Sequence, residues 1–189
     1  MGPRHASGMT IREATGVDLA AIDDIYNHYV TTSTATFQVE PTTPAERRAW
    51  FAAHGPDHPV LVFEYEEPAR DGPRVAGGRI AGWASLNRYV PREAYGRTVE
   101  LSVYVRHDRH RRGVGRALMT ELLARAEASG HHVVLAQVAA DQEPSLRLHR
   151  SFGFQDVGRL REVGFKFDRW LDVILLDRML PPAPRRELT

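Results

Sequence analysis

The stretch Arg109-His110-Arg111-Arg112-Gly113-Val114-Gly115-Arg116 constrains this chain more than any other. It follows an apolar run, Leu101 to Val105, and opens a long amphipathic segment, Gly113 to Ser129. A strand therefore hands over to a helix here. A helix N-terminus presents unpaired backbone N–H groups and a partial positive charge. Glycines at 113 and 115 let a large anion approach the backbone, and the arginines add charge. That is the physical design of a phosphate site; the bland alternative is an arginine-rich turn on a solvated face.

Two nucleotide readings fail. A Walker A loop needs Gly-x-x-x-x-Gly-Lys followed by Ser or Thr, but Arg116 follows the second glycine and the only lysine is Lys166. A dinucleotide fingerprint needs a third glycine where this chain has Leu118, and an early βαβ unit. The segment lies past the middle of the chain instead.

A length of 189 residues points to one domain with a single core. A net charge of +1 gives no argument for nucleic acid or membrane as a bulk partner. The chain has no cysteine, which excludes disulfides, cysteine-ligated zinc and a cysteine-linked acyl intermediate. No apolar run approaches 18 residues, so no spanning helix is expected. Met1 to Gly8 lacks a signal peptide's apolar core and reads as a loose leader, from which a cytoplasmic location is expected.

Along the chain, Thr10 to Arg12 begins a short strand. Thr15-Gly16-Val17-Asp18 resembles a capping box ahead of Leu19, Ile22, Ile25, Tyr26 and Tyr29 at helical spacing. Thr43-Pro44-Ala45-Glu46 is a second capping box, whose helix stops near Gly55 and Pro56. Val60 to Tyr65 and Arg79 to Leu86 read as a hairpin about a long surface turn, Glu66 to Gly78. Thr98 to Val105 is a central strand. The helix from Gly113 buries Val114, Leu118 and Leu122, with Gly130 as its C-cap. Val133 to Val138 is a further strand, and Pro144 starts a helix ended by Gly153. Val173 to Arg178 is a last strand, before a frayed tail over Pro181 to Thr189. This order predicts an α/β fold, one domain over residues 9–180 with a mixed central sheet flanked by helices.

An ordered set of motifs goes with the loop. It comprises Asn27-His28-Tyr29, Ser33-Thr34-Ala35-Thr36-Phe37, Glu40-Pro41, Ala94-Tyr95, Thr98-Val99-Glu100 and Ser102-Val103-Tyr104-Val105. Pro144-Ser145-Leu146-Arg147-Leu148-His149, Gly153-Phe154, Gly164-Phe165-Lys166 and Arg169-Trp170-Leu171-Asp172-Val173 complete it. With them the chain resembles the GNAT N-acetyltransferase superfamily over roughly residues 9 to 180. Within that superfamily it looks like the phosphinothricin and L-amino-acid (methionine sulfoximine) N-acetyltransferase branch. Two positions depart from the pattern: His110 stands where the loop usually begins with Arg or Gln, and Gln142 where an asparagine is usual.

The resemblance implies acetyl-CoA as cosubstrate, no metal, and direct attack by an amine. It implies that Glu100 is the general base and His149 a second catalytic group near the departing thiolate. It implies cofactor contacts from the main chain of Val103, Tyr104 and Val105. Further cofactor contacts are implied from His110, Arg111, Arg112, Gly113, Val114, Gly115 and Arg116, and from Gln142 and Ser145. Phe37, Arg92 and Tyr95 are implied to surround an amino-acid-like acceptor, with Arg88 a competitor of Arg92 for its acid group. Trp170 is expected in the core and at a homodimer interface. From Asn87 to Arg97 the chain carries Arg88, Arg92 and Arg97 against Glu93, which favours an anionic acceptor over an aminoglycoside. Another amine as acceptor, a polyamine or a protein N-terminus included, and a non-catalytic CoA-binding module remain the alternatives; an intact Glu100 argues against the module.

Overall fold

The structure, a computed structural model, describes residues 9–65 and 79–181. The leader Met1 to Gly8, the turn Glu66 to Gly78 and the tail from residue 182 lie outside the described residues. The elements are β1 (Met9–Glu13), α1 (Leu19–Thr32), α2 (Pro44–Ala52), β2 (Val60–Tyr65), β3 (Arg79–Arg88) and β4 (Thr98–Val105). They continue with α3 (Val114–Ala128), β5 (Val133–Ala139), α4 (Glu143–Ser151), β6 (Gln155–Lys166) and β7 (Arg169–Met179).

Among the described residues seven strands form one sheet, ordered β1-β2-β3-β4-β5-β7-β6. β4 and β5 run parallel and the other neighbours antiparallel. The helices cover both faces, as the order of elements predicts. Leu61 and Phe63 of β2 point into a core with Leu118, Met119 and Leu122 of α3. Val60 and Val62 point the other way, into a core with Ile22 and Ile25 of α1. Burial on both faces explains why β2 reads as a continuous apolar run rather than an alternating one.

The helix starts follow their capping chemistry. At α2 the Thr43 N–H donates to Glu46 Oε2 at 2.8 Å, and the Glu46 N–H to Thr43 Oγ1 at 3.3 Å. Ahead of α1, a 3-10 turn over Gly16–Asp18 carries Asp18 under the sheet. Asp18 is 1% exposed and accepts from the Thr15 N–H at 2.7 Å and from both Arg12 terminal nitrogens at 2.7 and 2.8 Å. One carboxylate thus caps a helix and ties it to β1. Asp18→Ala removes the cap and the ion pair with Arg12 while Arg12 keeps Glu64 at 2.8 Å. The expected loss is about 3 kcal/mol, read as a fall in Tm of about 6–12 °C in a chain of this size.

The end of the chain differs from the sequence reading, which placed one strand at Val173 to Arg178. β7 begins four residues earlier, and β6, which that reading left without structure, pairs with it at the sheet edge. Register shifts between Asp156 and Gly158 and between Leu160 and Gly164 interrupt the strand, so its apolar residues follow no single period. Phe167 and Asp168 close the hairpin with φ of 53° and 56°, the primed-turn geometry that suits twisted strands. Among the described residues no helix is long and apolar enough to cross a membrane.

Candidate active site

β4 and β5 pair only at Thr98, Val99 and Glu100, although β4 runs on to Val105 and β5 to Ala139. Beyond Glu100 the two parallel strands part and leave a wedge open in the middle of the sheet. The Arg106 N–H donates to Ala81 O at 2.8 Å. Backbone groups alternate sides along a strand, so Glu100, Ser102 and Tyr104 turn theirs toward β3. Leu101, Val103 and Val105 turn theirs into the wedge. Tyr104 therefore departs from its expected main-chain role, because its carbonyl faces Gly82 of β3. What Tyr104 offers the site is its ring and hydroxyl on the α1 side, where the hydroxyl donates to Ala35 O at 3.3 Å.

The loop between β4 and α3 stands at the mouth of the wedge. Arg111 and Gly113 adopt positive φ of 58° and 81°, and Gly113 is the N-cap of α3. The first bond into the helix comes from the Ala117 N–H to Gly113 O, at 2.9 Å, so the N–H groups of Val114, Gly115 and Arg116 project from the helix end. Arg106 pairs with Asp108 at 2.8 Å, and Arg109 donates to the Tyr65 hydroxyl at 2.8 Å. Arg111, Arg112 and Arg116 are exposed and have no carboxylate partner among the described residues. The loop thus settles its inner arginines and leaves three cations beside three free amides, a donor set that fits a pyrophosphate.

Two loop residues act differently from the sequence expectation. A Cβ on Gly115 would stand 3.3 Å from Leu148 and 3.4 Å from Val105. That glycine seats the first turn of α3 on β4 and α4 and does not open space for an anion. The His110 Nε2 lies 2.7 Å from the Tyr29 hydroxyl and 3.2 Å from Val105 O, and the same hydroxyl donates to that carbonyl. Burial pushes the Tyr29 hydroxyl up to about 12, so it stays a donor. His110 turns this nitrogen inward and pins the loop, while the exposed arginines carry the charge.

Glu100 sits where the wedge closes. Its side chain shares a face with Ser102 and Tyr104, under α1 and α2. Burial raises its carboxyl above the usual range, against a hydrogen bond from Gln137 that lowers it. A buried carboxylate of this kind is a stronger base than an exposed one. Beside it runs a polar strip that sequence reading missed. Asn87 Nδ2 donates to Glu100 O and to Ser102 Oγ, each at 3.2 Å, and Asn87 Oδ1 faces His54 Nε2 at 3.1 Å. Nothing in the sequence links these residues: the β3–β4 register sets Asn87 beside Glu100, and His54 reaches Asn87 from the turn after α2.

α4 flanks the other side. His149 is buried, and its Nδ1 lies 2.8 Å from Ser145 O. A carbonyl only accepts, so Nδ1 carries the proton and in the neutral ring Nε2 has none to give. Burial also lowers the His149 pKa. The expected role near a leaving thiolate is therefore replaced, on this geometry, by one inside the helix, edge-on to Phe154 at 5.3 Å. Ser145 Oγ stands 3.5 Å from the same nitrogen. Gln142 Nε2 donates to Thr34 Oγ1 at 2.7 Å, which turns the amide toward the loop after α1.

The expected acceptor residues fall in two places. Phe37 lies half-buried on β6, against Gly164. Arg92 and Tyr95 are exposed on the loop before β4, where Tyr95 meets Tyr89 edge-on at 5.7 Å. No hydrogen bond or ring contact among the described residues joins the two groups. Arg88 and Arg92 are both exposed and have no carboxylate partner there. Among the described residues no group of three His, Cys, Asp or Glu is arranged to hold a metal ion.

The family described as acetyltransferase (GNAT) matches residues 22–154. A phosphinothricin N-acetyltransferase of Streptomyces viridochromogenes is 39% identical, over 95% of this chain and 94% of its own. An L-methionine sulfoximine/L-methionine sulfone acetyltransferase of Pseudomonas paraeruginosa is also 39% identical, over 92% of this chain and 96% of its own. The crystal structure of a GNAT superfamily phosphinothricin acetyltransferase from Sinorhizobium meliloti, in complex with acetyl-CoA, superposes with a TM-score of 0.82. That protein is 32% identical, and the match covers 92% of this chain and 89% of that one.

Proposed function

The chain belongs to the GNAT acetyltransferase family and is an acetyl-CoA-dependent N-acetyltransferase, and from this premise we propose that its acceptor is the α-amino group of a small amino acid or analogue. Phosphinothricin and methionine sulfoximine head the list. The observation that carries the proposal is the wedge between β4 and β5, with Glu100 where it closes and the arginine loop where it opens. The arginines and α3 amides hold the pyrophosphate, and the Val103 main chain and the Val105 N–H pair with the amide-bearing arm as an added strand would.

Glu100 takes the proton from the acceptor's ammonium. The amine nitrogen then bonds to the thioester carbonyl carbon, the carbon–sulfur bond breaks, and the leaving thiolate takes up the second proton, which the nitrogen sheds as it becomes an amide. Backbone N–H groups on the open edge of β4 face the region where negative charge develops on the carbonyl oxygen. Ion-paired Asp108 and Glu93 are the only acidic residues on the two loops that flank β4, against six arginines, so an anionic acceptor is favoured over a polycation.

We place the acceptor's acid group on Arg92, an exposed cation with a planar fork suited to carboxylate or phosphinate. A thiol-release assay with acetyl-CoA across amines tests the whole reading. Release is expected with phosphinothricin and methionine sulfoximine and not with polyamines or aminoglycosides; the reverse pattern overturns it. Arg92→Ala should raise the acceptor KM about 10- to 150-fold, the loss of one charge-assisted contact, with the KM for acetyl-CoA unchanged. An unchanged acceptor KM moves the contact to Arg88.

The proposal also takes the working form as a cytoplasmic homodimer joined along the β6–β7 edge. Its support is the apolar surface there: Phe165 and Trp170 are 53% and 61% exposed and pack edge-to-face at 5.0 Å. A long edge strand with exposed aromatic residues is a surface that proteins normally cover.

A further inference from the structure

We propose that the last residues of β6, Gly164 and Lys166, set the position of Phe37 and thereby select the acceptor. This rests on the reading of Phe37 as a wall of the acceptor pocket, and it assigns the two β6 residues a positioning role. Neither touches the reacting atoms.

Two independent contacts tie the loop after α1 to β6. The first is a close approach. A Cβ on Gly164 would stand 2.3 and 2.4 Å from two ring carbons of Phe37 and 3.2 Å from a third. The ring lies directly on the β6 backbone, and only glycine leaves room for it there. Among the described residues the glycines with positive φ are Gly113, Gly130 and Gly153, and Gly164 is not one of them. Space, not backbone conformation, is what Gly164 supplies.

The second contact is a buried cation. Lys166 is the chain's single lysine and is 5% exposed. Its Nζ donates to Ser33 O and Thr36 O, each at 2.8 Å, and lies 3.5 Å from Tyr29 O. It has no carboxylate partner among the described residues. A bare ammonium is costly to bury, and here it faces the carbonyl end of α1, where the helix dipole is negative. α1 has no basic residue of its own in its last turn, so Lys166 does that work from across the sheet.

The segment that leads into Phe37 is therefore fixed at every residue. Lys166 holds the Ser33 and Thr36 carbonyls, Thr34 donates to Asp141 at 2.7 Å, and Ala35 O accepts from Tyr104. Phe37 is the first side chain beyond this rigid run, and its ring rests on Gly164. The ring's place is set by β6, so the size of acceptor admitted beside it is set there too.

The test uses Gly164→Ala, Lys166→Met, Lys166→Arg and Phe37→Ala in the full chain. For each, kcat and KM are measured for a series of amino acids of increasing side-chain size and for acetyl-CoA, together with Tm. Gly164→Ala adds one methyl at a position of ordinary φ, so the protein folds and the ring alone must move. The expected result is a 10- to 100-fold rise in KM for the best acceptor and a changed size ranking, with acetyl-CoA KM within about twofold of the parent. Lys166→Met should move the acceptor KM in the same direction, and Lys166→Arg should restore part of it. The double variant Gly164→Ala with Phe37→Ala should be no worse than Phe37→Ala alone, because both act through one ring. If Phe37→Ala shifts the acceptor KM and Gly164→Ala does not, the proposal is overturned while the pocket reading stands. If Phe37→Ala leaves every acceptor KM unchanged, the pocket reading itself has failed.

Discussion

Glu100→Gln is expected to lower kcat by about 10²–10⁴-fold, the usual worth of a general base, with acetyl-CoA KM nearly constant. The substitution keeps the shape of the side chain at the closed end of the wedge and removes only its basicity. The loss should shrink as pH rises, because more of the amine then arrives without its extra proton. Stability should move the opposite way from activity. Burial raises the Glu100 carboxyl above its ordinary value of 4.5, so the folded protein holds this proton more tightly than the unfolded chain does. The stabilisation from the protonated group is fully present below about pH 4.5. It is lost as pH rises through the folded-state pKa, and above that the charged group is a cost. Glu100→Gln should therefore raise Tm slightly at neutral pH, and the gain should fade in acid. A carboxylate that merely supported the strand would give a lower Tm at every pH. Near-normal kcat at neutral pH with a good acceptor would assign proton removal to another group.

The parts of the fold that were legible in the sequence are those with a strong local signal. The Thr43–Glu46 box, the two-faced run Val60–Tyr65 and the stripe of α3 each announce one element through their own residues. β6 gave no such signal. It is an edge strand with two register shifts, so no face is regularly buried and no period of two survives. The site divides along the same line. The arginine loop is written in residue type and spacing, whereas Glu100 is singled out only by the resemblance carried at Thr98-Val99-Glu100. The wedge is legible in neither way, since it depends on where two strands separated by α3 cease to pair. The inward turn of His110 depends on Tyr29, 81 residues away. The anchoring by Lys166 depends on backbone carbonyls 130 to 137 residues away, and a carbonyl carries no mark in the sequence at all.

The glycines of the phosphate loop carry the other large expected effect. Acetyl-CoA at about 100 times its Kd should stabilise the folded state by about 2.7 kcal/mol, a rise in Tm of about 5–10 °C for a chain of this size. Gly113→Val and Gly115→Val should each abolish that rise, by different routes. At Gly113 no atom of the protein lies within 4 Å of where a Cβ would be. The obstacle there is φ of 81°, which costs a side-chain-bearing residue about 1–2 kcal/mol and turns the N–H groups of α3 out of line. At Gly115 the φ is ordinary and the obstacle is contact. The new methyl groups meet Leu148 and Val105, already 3.3 and 3.4 Å from a bare Cβ, and lift the first turn of α3 from β4. The unliganded Tm should fall in both, and Gly113→Ala should match Gly113→Val in losing the ligand shift while Gly115→Ala keeps part of it. Dephosphorylated pantetheine lacks the anion, so it should stabilise the parent protein far less than acetyl-CoA does. Equal stabilisation by the two ligands would mean that the wedge alone binds the cofactor and that the arginine loop holds no pyrophosphate.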